Sequence, residues 1–372
     1  MWKILINKNT KSKYSIVFGI FLAFILLFLY LNLTKATDIN LALGNNNKTT
    51  DGLINNKRIH CHTISQINEC IVNFKKAGAD KDLILWLGNS QLHAINSYVK
   101  GQKSASQLLH KKLLNNNEYL MTISLPNASL EEHFFLLLYL KGQVPIKKII
   151  LSIVYDDTRE NLIRDNLLSL LEKNKKLINL KDSFAKKRFL EQTKEKQSIN
   201  NFDLDTQTLQ KQVENFLNNK LSSFSNLWAS RINLKSEVYI FFYKLRNSIF
   251  NINPESVRRK IPGVYEKNIL ALKSLKNNLV VSNIEGIFYI APIRSDINLP
   301  YDKNDYLKFK DFVKSMENSK NIHFSNLETL VPGKMWGTKD NTKLNNDKEI
   351  DFMHFKSEGH QILTNALFDK LV

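Results

Sequence analysis

The order of apolar and polar positions divides the chain into stretches with different roles. Residues 14–34 carry no charged side chain and are mostly Ile, Leu, Phe and Val. Four shorter runs, at 83–87, 119–125, 148–154 and 287–290, are almost wholly apolar, and a weaker one lies at 322–324. Such runs, without polar alternation, predict parallel strands covered on both faces. Helical patterns stand between them at 91–99, 130–140 and 265–277, and a last one covers 358–371 behind Ser357 as its expected cap. Strands alternating with helices predict an α/β fold on a parallel sheet. Residues 160–264 hold helical patterns and no strand signal, so they read as a helical insertion. Within it, residues 171–196 carry nine Lys/Arg against four acids, the pattern of a solvated helix face, and residues 238–250 are strongly apolar.

The first apolar run has the length of a membrane span, since a helix rising 1.5 Å per residue needs about 20 residues to cross a ~30 Å hydrocarbon core. Lys3, Lys8, Lys11 and Lys13 precede it with no acid among them, and no small-residue cleavage site follows. This predicts an uncleaved signal-anchor in the lipid bilayer, with residues 1–13 as a cytoplasmic tail and the chain after residue 34 outside. Residues 35–58 are polar and Asn-rich and read as a linker, leaving 59–372 as the extracytoplasmic domain.

Charge adds a partner class. The net charge is +18, of which +14 lies beyond the tail. Such a surface favours anionic partners, lipid headgroups or an acidic polymer, and the compartment argues against nucleic acid. A general Lys and Asn bias of the chain is an equal source of that charge. The two cysteines, Cys61 and Cys70, fall in the outer part, where a disulfide is permitted. Free thiols remain open as well, and His60-Cys61-His62 with Cys70 fits no zinc spacing.

Candidate chemistry begins at Ser90. The run 83–87 leads into Gly88-Asn89-Ser90, a tight turn at the C-terminal end of a predicted parallel strand, with a helix expected from Gln91. That placement exposes a hydroxyl to a carbonyl and aims helix N–H groups at it. A serine also needs a base. Asp351 and His354 lie three residues apart on a predicted loop or first helical turn, where the carboxylate can hold one ring nitrogen and leave the other free. His360 reads as a packed or surface histidine, and His93 as facing away from Ser90. Further strand ends contribute Asn127 and the run Tyr155-Asp156-Asp157-Thr158-Arg159. Asn127, Tyr155, Asp156 and Arg159 are expected to border Ser90 in one pocket, as oxyanion donors or substrate contacts. Arg159 would bind a substrate carboxylate, or lock Asp156 or Asp157 in an ion-paired loop.

These motifs resemble those of the SGNH (GDSL-like) hydrolase superfamily, above all its membrane-anchored members in alginate O-acetylation and lipoteichoic-acid D-alanylation. Gly88-Asn89-Ser90-Gln91 is similar to the first block, with Asn89 in place of Asp. Leu125-Pro126-Asn127-Ala128-Ser129 resembles the second, with Asn127 in place of Gly. Asp351-Phe352-Met353-His354 resembles the last. The third block departs: Val154-Tyr155-Asp156-Asp157 holds no Asn where Gly-x-Asn-Asp is usual.

The resemblance implies a three-layer α/β/α sandwich and a Ser-His-Asp mechanism that needs no cofactor and no metal. Its function would be transfer or hydrolysis of small acyl esters on a cell-envelope or secreted glycan, or another anionic polymer. A membrane-bound O-acyltransferase is the implied partner. The altered third block keeps a second expectation, a noncatalytic scaffold of the same fold.

Overall fold

The computed structural model describes residues 18–19, 46–161, 163–174, 182–204, 220, 231–318, 320–345 and 347–372. The chain divides into two compact units, residues 40–198 with 247–372 and residues 1–39 with 199–246. The larger unit carries the candidate site and is described below. Of the smaller one, the described part is chiefly helical.

In chain order the described elements begin with β1 (Asn47–Thr49), the hairpin β2 (Leu53–Ile54) and β3 (Lys57–Arg58), β4 (His60–Cys61) and α1 (Ile67–Ala77). Next come β5 (Asp82–Gly88), β6 (Ala94–Asn96), α2 (Ala105–Leu114), β7 (Glu118–Ser124), α3 (Leu130–Lys141) and β8 (Ile146–Ile153). Helices α4 (Asp165–Lys173), α5 (Ser183–Leu204), α6 (Arg231–Ile249) and α7 (Val264–Val281) follow. The chain closes with β9 (Glu285–Ile290), α8 (Lys303–Lys314), β10 (Ile322–Asn326), β11 (Trp336–Asp340), β12 (Lys348–Phe355) and α9 (Ser357–Leu371).

The fold is α/β. Six strands form one sheet in the order β10-β9-β8-β5-β7-β4, and each neighbouring pair is parallel. β5 lies inside this sheet, so both of its faces are covered. Leu83, Leu85 and Leu87 join one core, with residues of α1, α3, α7 and α8. Ile84 and Trp86 join the other, with residues of α2 and α9. This two-sided burial is why the strand reads as a continuous apolar run. Helix α3 is apolar nearly all round and accordingly buried along almost its whole length. Its start is fixed by a capping box in which the Ser129 hydroxyl accepts from the Glu132 N–H at 3.0 Å.

Several expectations need correction. Residues 91–99 are not a helix: a single 3-10 turn (Ser90–Leu92) gives way to β6, which pairs antiparallel with β1. The Asn89 side chain caps that turn, and the Gln91 amide is drawn to the Pro292 and Met353 carbonyls, so tertiary bonds override a weak helical pattern. Asp351 and His354 lie on a strand, β12, held antiparallel to β11, and not on a loop or helical turn. Residues 46–58 of the expected linker are structured as β1 and the β2–β3 hairpin, whose turn residues Asn55 and Asn56 both take positive φ, 49° and 59°. Among the described residues of 160–264 the regular elements are helices, with one isolated bridge at Arg258. The expected membrane span 14–34 lies outside the described residues except for Phe18 and Gly19, and among the described residues no helix is long and apolar enough to cross a membrane.

Candidate active site

β5 ends at Gly88, and Ser90 stands two residues beyond it. A Cβ on Gly88 would meet the Leu92 side chain at 2.6 Å and the Ser152 Cβ at 3.0 Å, so glycine is needed here for close approach. Asn89 is tied on both sides of the turn: its Oδ1 accepts from the Gln91 N–H at 3.1 Å, and its Nδ2 donates to Asp157 Oδ1 at 3.3 Å. Burial pushes the Asp157 carboxyl well above the usual range, against the pull of the Val154 N–H and the Asn89 amide that donate to it. The Gln91 amide donates to Pro292 O at 2.8 Å and Met353 O at 2.9 Å, which joins the Ser90 turn to the segment after β9 and to β12.

That join brings the distant motifs together. The Ser90 hydroxyl lies 2.9 Å from His354 Nε2, and His354 Nδ1 lies 3.0 Å from Asp351 Oδ2. A carboxylate can only accept, so Nδ1 carries the proton and Nε2 presents its lone pair to the serine O–H. Asp351 and His354 are buried, whereas Ser90 is half-buried. Burial alone would push the Asp351 carboxyl up. His354, the Met353 N–H and the Asn47 amide outweigh it and hold the group well below the usual carboxylate range. Asp351 Oδ1 accepts from the Met353 and His354 N–H groups at 2.9 and 3.0 Å. Its Oδ2 accepts from Asn47 Nδ2 at 2.7 Å and Asn96 Nδ2 at 3.4 Å, beside His354.

The other expected site residues are dispersed. Asn127 is exposed on the loop after β7, with φ 50°, the left-handed conformation that suits Gly or Asn. It lines an open cleft with Glu132, Ile163 and Arg164, and Ser90 is not in that lining. Tyr155 does not face a pocket. It is 1% exposed, its ring set edge-on to Tyr301, Tyr306 and Phe309, and burial pushes its phenol up to about 12. An apolar ring following an apolar strand gains more from that aromatic core than from solvent. Asp156 and Arg159 form the ion-paired loop. Asp156 takes Arg258 at 2.6 Å and the Tyr301 hydroxyl at 3.0 Å, and Arg159 lies 3.5 Å from Asp156 and donates to Arg259 O. Arg159 is thereby held by protein groups.

A second serine–histidine cluster lies one strand away. Ser124, the register partner of Gly88, has His60 Nε2 at 2.5 Å and His93 Nδ1 at 2.7 Å from its hydroxyl. His60 also meets the Ser106 hydroxyl at 2.5 Å through Nδ1. Ser124, His60 and His93 are buried, and burial lowers the His60 pKa to about 3 and that of His93 well below its ordinary value. His360 is buried as well: its Nδ1 accepts from the Ala105 N–H and its Nε2 donates to Ala94 O. Cys61 on β4 and Cys70 on α1 form a disulfide with Cα atoms 6.5 Å apart, tying that helix to the sheet edge.

Asn47, Asn96 and the Asn89–Asp157 contact are site features that local sequence reasoning did not single out. Asn47 lies in an Asn-rich run that reads as linker, and its partner is 304 residues away. Among the described residues, no group of three or more His, Cys, Asp or Glu is arranged to hold a metal. No protein-family model matches the chain, and no curated protein is similar to it at a meaningful level.

Proposed function

We propose that this chain is a membrane-anchored, extracytoplasmic serine acyltransferase or esterase of SGNH type, acting on small acyl esters of a cell-envelope or secreted glycan. The observation that carries the reading is the continuous relay from Ser90 through His354 to Asp351 beyond the end of a parallel strand. Helices on both faces of the sheet, and a Ser-first, Asp-x-x-His-last order, support the three-layer SGNH reading.

In the proposed reaction, Ser90 Oγ attacks the acyl carbonyl carbon as His354 Nε2 takes its proton. The backbone N–H of Ser90 is the proposed donor to the oxyanion. Collapse of the tetrahedral intermediate breaks the bond to the donor oxygen, which leaves with the proton from Nε2. The acyl-serine is then attacked by a glycan hydroxyl or by water, deprotonated at the same nitrogen, and Ser90 is regenerated. Asp351 stays ionised throughout and stabilises the imidazolium. A membrane-bound O-acyltransferase supplies the acyl group in the transferase form of this proposal. The basic outer surface suits an anionic acceptor polymer.

The test is to treat the full chain with a fluorophosphonate and with an O-acetylated glycan. Labelling at Ser90, with acetate release or transfer, supports the reading. An unlabelled Ser90 in folded protein would leave the noncatalytic scaffold in its place.

A further inference from the structure

We infer that Asn47 is a positioning residue for the relay, so that the segment joining the anchor to the domain is itself part of the site. This rests on the reading of Ser90–His354–Asp351 as catalytic. Asp351 is 1% exposed, and its orientation decides where the His354 ring points. One oxygen is fixed by two backbone N–H groups of its own strand. The other, the oxygen facing His354, receives the Asn47 amide at 2.7 Å, a shorter contact than the 3.0 Å to the imidazole. Asn96 gives the longer contact: one of its amide hydrogens goes to Thr338 O at 3.0 Å, and the nitrogen stands 3.4 Å from Asp351 Oδ2.

Asn47 reaches Asp351 because its strand is pinned along its length. β1 pairs with β6 so that Asn47 faces Asn96. The Thr50 N–H donates to His93 O, the Ser97 N–H donates to Asn46 O, and Asn46 Nδ2 reaches Thr338 O. The chemistry of the donor is also suited to the task. A neutral amide steadies the carboxylate without competing for its charge, and among the described residues no Lys or Arg pairs with Asp351. The carboxylate charge is thus left to the imidazolium that forms during the reaction. Outer partners that orient metal-bound histidines typically cost about 10–100-fold when removed, and a loss of the same order is expected behind His354.

The experiment follows the second-order rate of fluorophosphonate labelling of the full chain in detergent micelles, together with the final labelled fraction. Asn47→Asp keeps the side-chain shape and replaces the donor by a repelling oxygen, and Asn47→Ala removes it. Lys48→Ala, at the exposed next position, is the control for the strand. The expected result is a rate at least about 10-fold lower in both Asn47 variants with a full final labelled fraction, and an unchanged rate in Lys48→Ala. A wild-type rate in Asn47→Asp overturns the inference. So does a lowered final fraction at an unchanged rate, because that outcome reports lost folded protein and not a misaligned base. An unlabelled wild type is a separate outcome: it removes the catalytic reading, and the inference falls with it.

Discussion

Two serine–histidine clusters sit at neighbouring strand ends, and they differ in burial and in what stands behind the imidazole. Ser90 and Ser124 both lie within hydrogen-bond distance of an imidazole. Ser124 still belongs to its strand and is sealed, and among the described residues no carboxylate hydrogen-bonds His60 or His93. Ser90 has left its strand, is half-buried, and faces a histidine backed by an ionised Asp351. A serine–histidine contact is therefore no sign of a nucleophile. The carboxylate behind the ring and the partial exposure of the serine set the two clusters apart.

The sharpest way to break this comparison is at the relay itself. Ser90→Ala and His354→Ala should each lower acyl turnover by about 10⁶-fold, with melting unchanged in Ser90→Ala, since the pair acts as one unit. Turnover of initial-rate quality in either variant would remove the distinction between the clusters. Asp351→Asn should cost less, about 10⁴-fold, because the orienting group is not consumed in the proton transfers. A loss equal to that of Ser90→Ala would show that Asp351 also carries the fold of β12.

On stability the order reverses, and the sealed histidines dominate. Burial lowers the pKa values of His60, His133 and His360 to about 3 in the folded chain, against about 6.5 unfolded. Below pH 6.5 the unfolded chain takes up protons that the folded one refuses. Their contribution is therefore whole above that pH and is lost as pH falls towards 3. Melting temperature should drop steeply from pH 6.5 to 4. His133 is the cleanest probe, since neither of its ring nitrogens has a hydrogen-bond partner among the described residues. His133→Leu should flatten the acid slope, and an unchanged slope would refute the assignment. The smallest effect is expected from Ser124→Ala. It should destabilise by about 1–3 kcal/mol by stranding buried ring nitrogens, yet leave turnover per folded molecule intact. Loss of turnover there would join the two clusters into one site.

The sheet strands were readable because Leu83–Leu87-type burial on both faces writes itself as an uninterrupted apolar run. β4 was not, since two residues, His60 and Cys61, at an edge give no period. The order Ser90, Asp351, His354 was legible because residue chemistry and spacing carry it. The support behind it was not. Asn47 and Asn96 look like any polar turn residue until β1 and β6 pair. Tyr155 illustrates the opposite failure: its place after a strand matched a site position, but neighbouring aromatic rings hold it inside.

The 264-position separation of Ser90 from His354 also sets a clock. At about 5–20 residues per second, the ribosome emits Ser90 roughly 10–50 s before His354. Throughout that interval the growing polypeptide holds a hydroxyl with no partner to remove its proton. In the proposed reading the newborn chain is inert by construction, and reactivity would begin only when β12 docks against the Gln91 amide.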